Sequence, residues 1–540
     1  MKVYHTGTYF YNNYTSAGRI TIMFPLLRTF LILLLSCFFL YGCAVNPVTG
    51  KNEIAFISET REINIGKENY APSRQMQGGD YTVNPALSAF VNEVGQKLAA
   101  VSDRQLPYEF TVLNNSTPNA WALPGGKIAV NRGLLLELNN EAELAAVLGH
   151  EIVHAAARHG AQQMEKGIMF QGALIATSIA AQGSDYGNMI VGGAQVAAGL
   201  IHTKYGRDDE LEADYYGIQY MARSGYDPMA AVGLQETFVR LNDSQSHNWL
   251  AGLFASHPPS MERVKANKAT AASLPTGGKL GKAIYNERIA SLVKDKNAYE
   301  SYSRGREALE KGDTDRALAY SQEAIGIEPR EGHFYALRGD TYHKEKRYSE
   351  ALKDYDRAIE LNSNYFYYYL QRGLTKKKLN QTREAYADLQ TSTRLLPTAT
   401  AYNSLGELVL SGGSSQRAKQ YFTEAASSDS PAGRQARAAL LRLDFPRYAS
   451  NYIHVQIGLS HEGFVLARVS NQAPLGIRDI ELLIQHPDTS GKTQQTTRRL
   501  QILIPAGQAY TSSLNLGPYA NASVLNAIRI QIISAELVEK

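Results

Sequence analysis

Apolar residues recur at helical spacing through "LAAVLGHEIVHAAARHG" (144–160), and the run from Asn140 has strong helix formers and no proline, which predicts a helix. A second helical segment, "RDDELEADYYG" (207–217), is acidic, but Leu211, Ala213, Tyr215 and Tyr216 interrupt its charges. That is not the pattern of a purely solvated face. Between them in composition, residues 119–130 read as an edge strand with a Pro-Gly-Gly turn. Farther on, small residues repeat every 34 positions: Gly305, Gly339 and Gly373, then Ala317, Ala351 and Ala385. Ala324 and Ala358 keep the register, Pro329 and Pro397 lie two repeats apart, and Gly406, Ala418, Phe422 and Ala425 continue it after one deletion. Such a register predicts paired helices stacked into a solenoid with a concave groove, the aromatic run "YFYYYL" (365–370) dividing between core and groove. From Asn451 the pattern becomes short β-type runs: "YIHVQIG", "FVLARVS", "IELLIQ", "LQILI" and "IRIQII". Turn residues separate them, and a small β-sandwich is expected.

The N-terminal end has a different character. "MFPLLRTFLILLLSCFFLYGCAVNP" starts at Met23 with one arginine and an apolar stretch too short and wrongly flanked to span a bilayer, so it reads as a secretory signal. "LYGC" (40–43) resembles a bacterial lipobox, with cleavage before Cys43, lipid on its sulfur, and an outer-membrane destination implied by Ala44. An uncleaved membrane anchor is the alternative. Of the two cysteines, Cys37 lies in the removed part, so no disulfide is expected in the mature chain. "IMFQGALIATSIAA" (168–181) is apolar but broken by glycine, and is expected to pack on the core or cover the cleft. A net charge of +4 over 540 residues implies neither nucleic acid nor a polybasic membrane patch. The expected domains are a signal segment to residue 42, a catalytic domain at 44–266, a linker at 267–297, repeats with a capping helix at 298–445, and the β module at 450–540.

The chemistry sits on the first helix. His150 and His154, four residues apart, project from one face and can share a Zn²⁺. Glu151 adjoins them as a general base for a water, which is the HExxH arrangement. With 12 histidines in the chain, a chance occurrence is roughly a one-in-a-hundred event. His159, nine residues beyond His150, is rotated off the face of an extended helix and is expected to pack or hydrogen-bond. A catalytic zinc needs a third protein ligand. Six residues past His154 stands Gly160, not the histidine that some such enzymes place there. Glu210 and Asp214, at i and i+4, offer one ligand and one supporting carboxylate.

These blocks resemble the HtpX-like and CAAX prenyl protease type metallopeptidases over roughly residues 60–266. "NAWALPGGKIAVNRGLL" (119–135) is similar to that family's strand beside the active site, "LGHEIVHAAARH" to its metal helix, "ELEAD" to its ExxxD motif, and "ASHPPSMERV" (255–264) to its histidine-proline segment. The resemblance implies one zinc per chain held by His150, His154 and Glu210. It makes Glu151 the general base, Asp214 the carboxylate behind a ligand, and Arg263 a group that stabilises the tetrahedral intermediate. His257 matches a residue that either approaches the zinc at rest or serves the transition state. Asn119, Ala120 and Trp121 would pair with an extended substrate.

The expected fold is therefore α+β and multidomain. It comprises a mostly helical zincin-type (gluzincin) domain with a small sheet, a solenoid resembling tetratricopeptide repeats (TPR), and a β-sandwich. Two functions follow. One is a lipid-anchored zinc endopeptidase for misfolded or unassembled envelope proteins, its repeats holding a protein partner such as outer-membrane assembly machinery. The other is a repeat-based periplasmic chaperone or adaptor with residual or no proteolysis. Glu151 beside two ligands favours the enzyme.

Overall fold

The computed structural model describes residues 43–171, 190–191, 194–201, 204–243, 251–488 and 491–538. The signal segment and positions 172–181 of the apolar stretch lie outside them. A hairpin of β1 (Cys43–Val45) and β2 (Asn52–Ile54) is followed by helices α1 (Glu59–Met76) and α2 (Pro85–Ala99). Next come β3 (Glu109–Leu113), β4 (Ala120–Leu123) and β5 (Lys127–Asn131), then the short α3 (Arg132–Leu135). The sheet order is β3-β5-β4, with β3 parallel and β4 antiparallel to β5, so β4 is an edge. Asn131 N–H donates to Asn119 O at 2.8 Å. Hydrogen-bonded and non-bonded pairs alternate along an antiparallel ladder, so the main-chain groups of Ala120 and Ala122 face the outer edge.

The sheet packs against α4 (Glu141–Ala156), which begins at Asn140, whose side chain accepts from Glu143 N–H, and which is buried along its whole length. Helices α5 (His159–Gln171), α6 (Ala194–Ile201), α7 (Arg207–Arg223), α8 (Met229–Asp243), α9 (Ala251–Ser256) and α10 (Met261–Ala272) complete this part. α4 and α7 cross where Gly149 meets Gly217. A Cβ on Gly149 would stand 3.0 Å from Gly217 O, and one on Gly217 would stand 3.0 Å from His150 N. Both neighbours are backbone and cannot rotate away.

The N-terminal hairpin is tied to the end of α4. Asn46 Nδ2 donates to Ala157 O at 2.9 Å, and Arg158 bridges Glu53 at 2.7 Å and the fully buried Glu62 at 3.2 Å. Arg104 also pairs with Glu62, at 2.9 Å. Residues 267–297, expected as a linker, hold instead the end of α10 and all of α11 (Lys282–Lys294). Tyr285, Ile289 and Leu292 of α11 enter the same core as α2 and α4, and Tyr285 O–H donates to Leu135 O at 2.6 Å. Their spacing is apolar at i, i+4 and i+7, a buried stripe that the surrounding Lys, Gly and Ser residues mask in a composition reading.

The repeats are four helical hairpins: α12 (Lys296–Glu310) with α13 (Thr314–Ile327), α14 (Gly332–Lys344) with α15 (Tyr348–Leu361), α16 (Phe366–Lys378) with α17 (Thr382–Leu395), and α18 (Ala399–Ser411) with α19 (Ser415–Ala426). The repeated small residues are the contact points: a Cβ on Gly339 would stand 2.8 Å from the Tyr355 ring, and one on Gly373 2.9 Å from Leu389. This part is continuous with the first. Trp121, Leu123 and Ala129 share a core with Tyr365, Phe366 and Leu370, and Gln75 bonds both Asn364 O (2.6 Å) and Phe366 N–H (2.8 Å). α20 (Pro431–Tyr448) then adds Leu441 and Phe445 to a core shared with two three-stranded antiparallel sheets. One has order β10-β7-β6 and the other β11-β8-β9, from β6 (Ile453–Leu459), β7 (Val465–Asn471), β8 (Gly476–Pro487), β9 (Thr493–Ile504), β10 (Ala509–Ser513) and β11 (Arg529–Val538). β10 had no apolar alternation to betray it; it is an exposed edge of polar residues.

The glycine crossing can be tested. Gly217→Val is expected to push α7 off α4 and cost about 1–3 kcal/mol, the usual range for overpacking. It should lower the thermal midpoint of the residue 43–294 part without changing the repeat helices, as read by limited proteolysis with mass mapping. An unchanged midpoint would mean that the crossing yields easily.

Candidate metal centre

His150 and His154 leave α4 on one face and meet Glu210 of α7 and His257, which follows α9. One ligand atom from each of these four buried residues lies within 4.8 Å of all the others. The Nε2 atoms of His150 and His154 are 3.0 Å apart, and His257 Nδ1 is 3.2 Å from His150 Nε2 and 3.0 Å from Glu210 Oε1. Glu210 Oε1 is also 3.4 Å from His154 Nε2.

Hydrogen bonds behind the ligands decide which nitrogens are bare. His150 Nδ1 lies 2.9 Å from Asp214 Oδ1, so the carboxylate accepts Nδ1–H and Nε2 turns its lone pair inward. Arg263 forks onto Asp214, Nε to Oδ2 and Nη2 to Oδ1, each at 2.7 Å. Its Nη1 is 2.7 Å from Glu210 Oε2 and donates to Pro258 O at 3.1 Å. On the other side His159 Nε2 donates to Glu212 Oε1 at 3.2 Å. That leaves His159 Nδ1 as acceptor for His154 Nδ1–H, 2.8 Å away, and bares His154 Nε2 as well. The Tyr205 ring stacks on His154 with centroids 3.8 Å apart.

Lone pairs that converge on one another at 3.0 Å are repulsive unless a cation or proton stands between them, and a carboxylate oxygen completes the set. The donors fit Zn²⁺, which takes imidazole nitrogen and carboxylate oxygen in a tetrahedron. Glu151 lies at the rim, 3.6 Å from His257 Nε2, and its Oε2 is buried without a hydrogen-bond partner. Burial pushes its carboxyl up from the ordinary value, toward the range useful to a general base. Burial pushes Asp214 the same way, but Arg263 and His150 outweigh it and hold the carboxyl at about 2.

The three residues of "NAWALP" divide. Ala120 lines the cavity beside His150 and Glu151. Trp121 faces the other way, edge-on to Tyr70 at 6.1 Å, in the core shared with the repeats. Asn119 is buried at the end of β4. His159, Glu212 and Tyr205 were not among the expected functional residues. His159 lies off the ligand face only if the helix continues. α4 ends at Ala156, and Arg158 at φ 63° turns the chain back so that His159 returns behind His154.

This constellation is that of a zinc metallopeptidase with an HExxH helix. Residues 85–271 match the model of Peptidase family M48, so the chain carries an M48 metallopeptidase domain, and residues 339–380 match a TPR repeat. The chain is 26% identical over 348 residues to the beta-barrel assembly-enhancing protease of Escherichia coli K12, covering 59% of this chain and 70% of that one. It is 36% identical over 179 residues to the mitochondrial metalloendopeptidase OMA1 of Schizosaccharomyces pombe (33% and 50%). It is 32% identical over 162 residues to the metalloprotease YcaL of Escherichia coli K12 (29% and 60%).

Two outcomes are expected. His150→Ala or Glu210→Ala should lose both zinc and proteolysis, whereas Glu151→Gln should keep the zinc and lose at least about a hundredfold in rate. Full metal occupancy in His150→Ala, by atomic emission, would remove His150 from the ligand set.

The second concerns pH. In the metal-free site burial disfavours the His150 proton, but Glu210 and Asp214 outweigh it and raise the pKa to about 10. Burial holds His154 well below its ordinary value, and Glu210, despite burial, is held well below its own by His257 and His150. Metal uptake therefore expels one proton, from His150. Apparent zinc affinity should climb about tenfold per pH unit from about 7 to about 10 and then level off. Chelator competition across that range measures the slope; a flat profile would place no proton on His150.

Proposed function

We propose that this chain is a lipid-anchored endopeptidase of the bacterial cell envelope that cleaves misfolded or unassembled exported proteins. In this reading the TPR-like repeats hold a protein partner, such as outer-membrane assembly machinery. The observation that carries the enzymatic part is the buried set His150, His154 and Glu210 with Glu151 at its rim. A chaperone or adaptor would have no physical use for a buried glutamate beside three ligands with one carboxylate oxygen lacking a hydrogen bond. The beta-barrel assembly-enhancing protease, similar over 59% of this chain, supports the envelope reading. Among the described residues no helix is long and apolar enough to cross a membrane. Attachment is assigned to lipid on Cys43, which opens the hairpin bonded to the end of α4. The two C-terminal sheets, sharing one core, are read as a small β-sandwich.

When bound by His150, His154 and Glu210, Zn²⁺ supplies a Lewis acid that polarises the scissile carbonyl and acidifies water. Glu151 takes the proton of the attacking water and returns it to the leaving amine. Asp214 fixes the His150 tautomer, and Arg263, ion-paired with both Asp214 and Glu210, keeps Asp214 ionised in a buried site. An extended substrate pairs with the outward main-chain groups of Ala120 and Ala122 on β4, which gives broad sequence tolerance. Both residues are nearly fully buried, so the cover of this edge must open first.

His257 is the brake. It sits between the ligands and the base, 3.2 Å from His150 Nε2 and 3.6 Å from Glu151 Oε1, where the reacting water belongs. Once it leaves, His257 and Arg263 are the donors beside the cluster that can serve a tetrahedral oxyanion. His257→Ala is accordingly expected to degrade an unfolded model substrate faster than the wild type at matched zinc content. A slower variant would overturn the brake and make His257 a transition-state group.

A further inference from the structure

Ile190 and Val191 fall within the peptidase part of the sequence, just before α6, yet they lie against the fourth repeat. Ile190 forms an antiparallel β-bridge with Thr398, and Val191 N–H donates to Pro397 O at 3.2 Å. The Val191 side chain is fully buried in a core with Ala399, Ala418, Phe422, Ala425 and Ala436, where α18, α19 and α20 meet. Main-chain pairing beside an apolar slot is how a folded domain takes an extended peptide. Here the chain supplies the peptide itself.

The same stretch of chain ends on the metal centre. α6 packs Ala197, Ala198, Leu200 and Ile201 into the core that holds Tyr70 and Met76 of α1 and Trp121 and Leu123 of β4. Tyr205 then stacks on the ligand His154, with ring planes 16° apart, and its centroid lies 5.7 Å from that of His257. Gly206 follows and begins α7. Its N–H donates to Asp209 Oδ2 and its oxygen accepts from the N–H of the ligand Glu210, each at 3.0 Å. Tyr205 therefore leans on one ligand, faces the resting His257 and adjoins the turn that carries another ligand.

We propose that the slot in the fourth repeat is a docking site for a short extended segment with two adjacent aliphatic residues. Ile190 and Val191 fill it in the resting chain, and vacating it lets Tyr205 withdraw and opens the metal centre. The proposal rests on the peptidase reading above and adds a control to it. α6, an eight-residue helix packed along its buried side, stands between the two contacts, so movement at one end reaches the other through a stiff element. The slot is the end that yields. One bridge, one hydrogen bond and two apolar side chains hold it, and contacts that short open locally at lower cost than a helical core. A segment from outside competes with a tethered one whose effective concentration is on the order of millimolar. A protein seated along the repeats can present its own segment at such a concentration; a dilute free peptide cannot.

The test uses the full zinc-loaded chain. Ile190→Cys with Thr398→Cys places two cysteines across a bridged pair, whose usual Cα separation of about 4.5–5.5 Å suits a disulfide. An open state populated at about 0.1–10% leaves room for large changes in rate. The oxidised form is expected to lose at least about tenfold both in cleavage of an unfolded substrate and in the rate at which a chelator strips the zinc. Reduction should restore both, and neither single-cysteine variant should respond to oxidant. Val191→Asp, which empties the slot, should raise both rates at least about tenfold. It should also bind a labelled peptide of residues 187–194, which the wild type, its slot filled, does not. The disulfide leaves Val191 in place and keeps the proposal testable if an aspartate there disturbs folding. Equal chelator rates in the oxidised and reduced forms would overturn the coupling, and a peptide bound by neither protein or equally by both would overturn the slot. Absence of proteolysis from every form would overturn the peptidase reading, while the chelator rates would still decide whether the fourth repeat holds the metal centre closed.

Discussion

The meeting of Gly149 and Gly217 decides what the rest of the centre can be. With hydrogen in place of Cβ on both helices, α7 comes close enough to α4 for its backbone to touch His150. The carboxylates of Glu210 and Asp214 are carried in by that approach, one to the inner nitrogen of His150 and one to the outer. Charge balance follows. Two buried carboxylates are intolerable without compensation, and Arg263 supplies it from α10 through contacts with both. One steric concession thus fixes a ligand, the tautomer of another ligand, and the position of the cation that neutralises them.

The same economy makes the resting site crowded. Four donors share a volume in which a substrate carbonyl and a water must also fit, and His257 occupies the space that Glu151 needs. In the proposed peptidase such crowding makes activity conditional: on that reading His257 leaves the cluster before a substrate carbonyl can enter. The repeats bear on this directly. Their first helices share cores with α2, β4 and β5, so the repeats join the peptidase through packed side chains and not through a flexible tether.

Much of this was legible in the chain because the relevant signals are local. The i, i+4 histidines, the i, i+4 carboxylates and the 34-residue register each lie within one helix or one repeat, where spacing maps onto a face. What escaped depends on how elements end and meet. His159 hydrogen-bonds as expected, but that its partner is His154 depends on the helix stopping at Ala156. α11 was hidden because composition over thirty residues averaged away a stripe of three apolar positions. β10 escaped because an exposed edge strand carries no alternation. The fusion of repeats to peptidase had no sequence signature, since Gln75 and Asn364 are joined only by the fold.

The continuity of the cores also constrains where selectivity can reside. A protease on a hinged arm can select substrates by swinging toward them, but here the hairpin at Cys43 is bonded to the end of the metal helix and the repeats are packed against the sheet. The N-terminal hairpin, the repeats and the cleft are therefore joined through packed contacts. With main-chain pairing indifferent to sequence, the proposed peptidase discriminates by what a chain can present, an extended segment free to reach β4. A folded protein offers none. On this reading the site needs no code for its substrates, only a chain that has failed to fold.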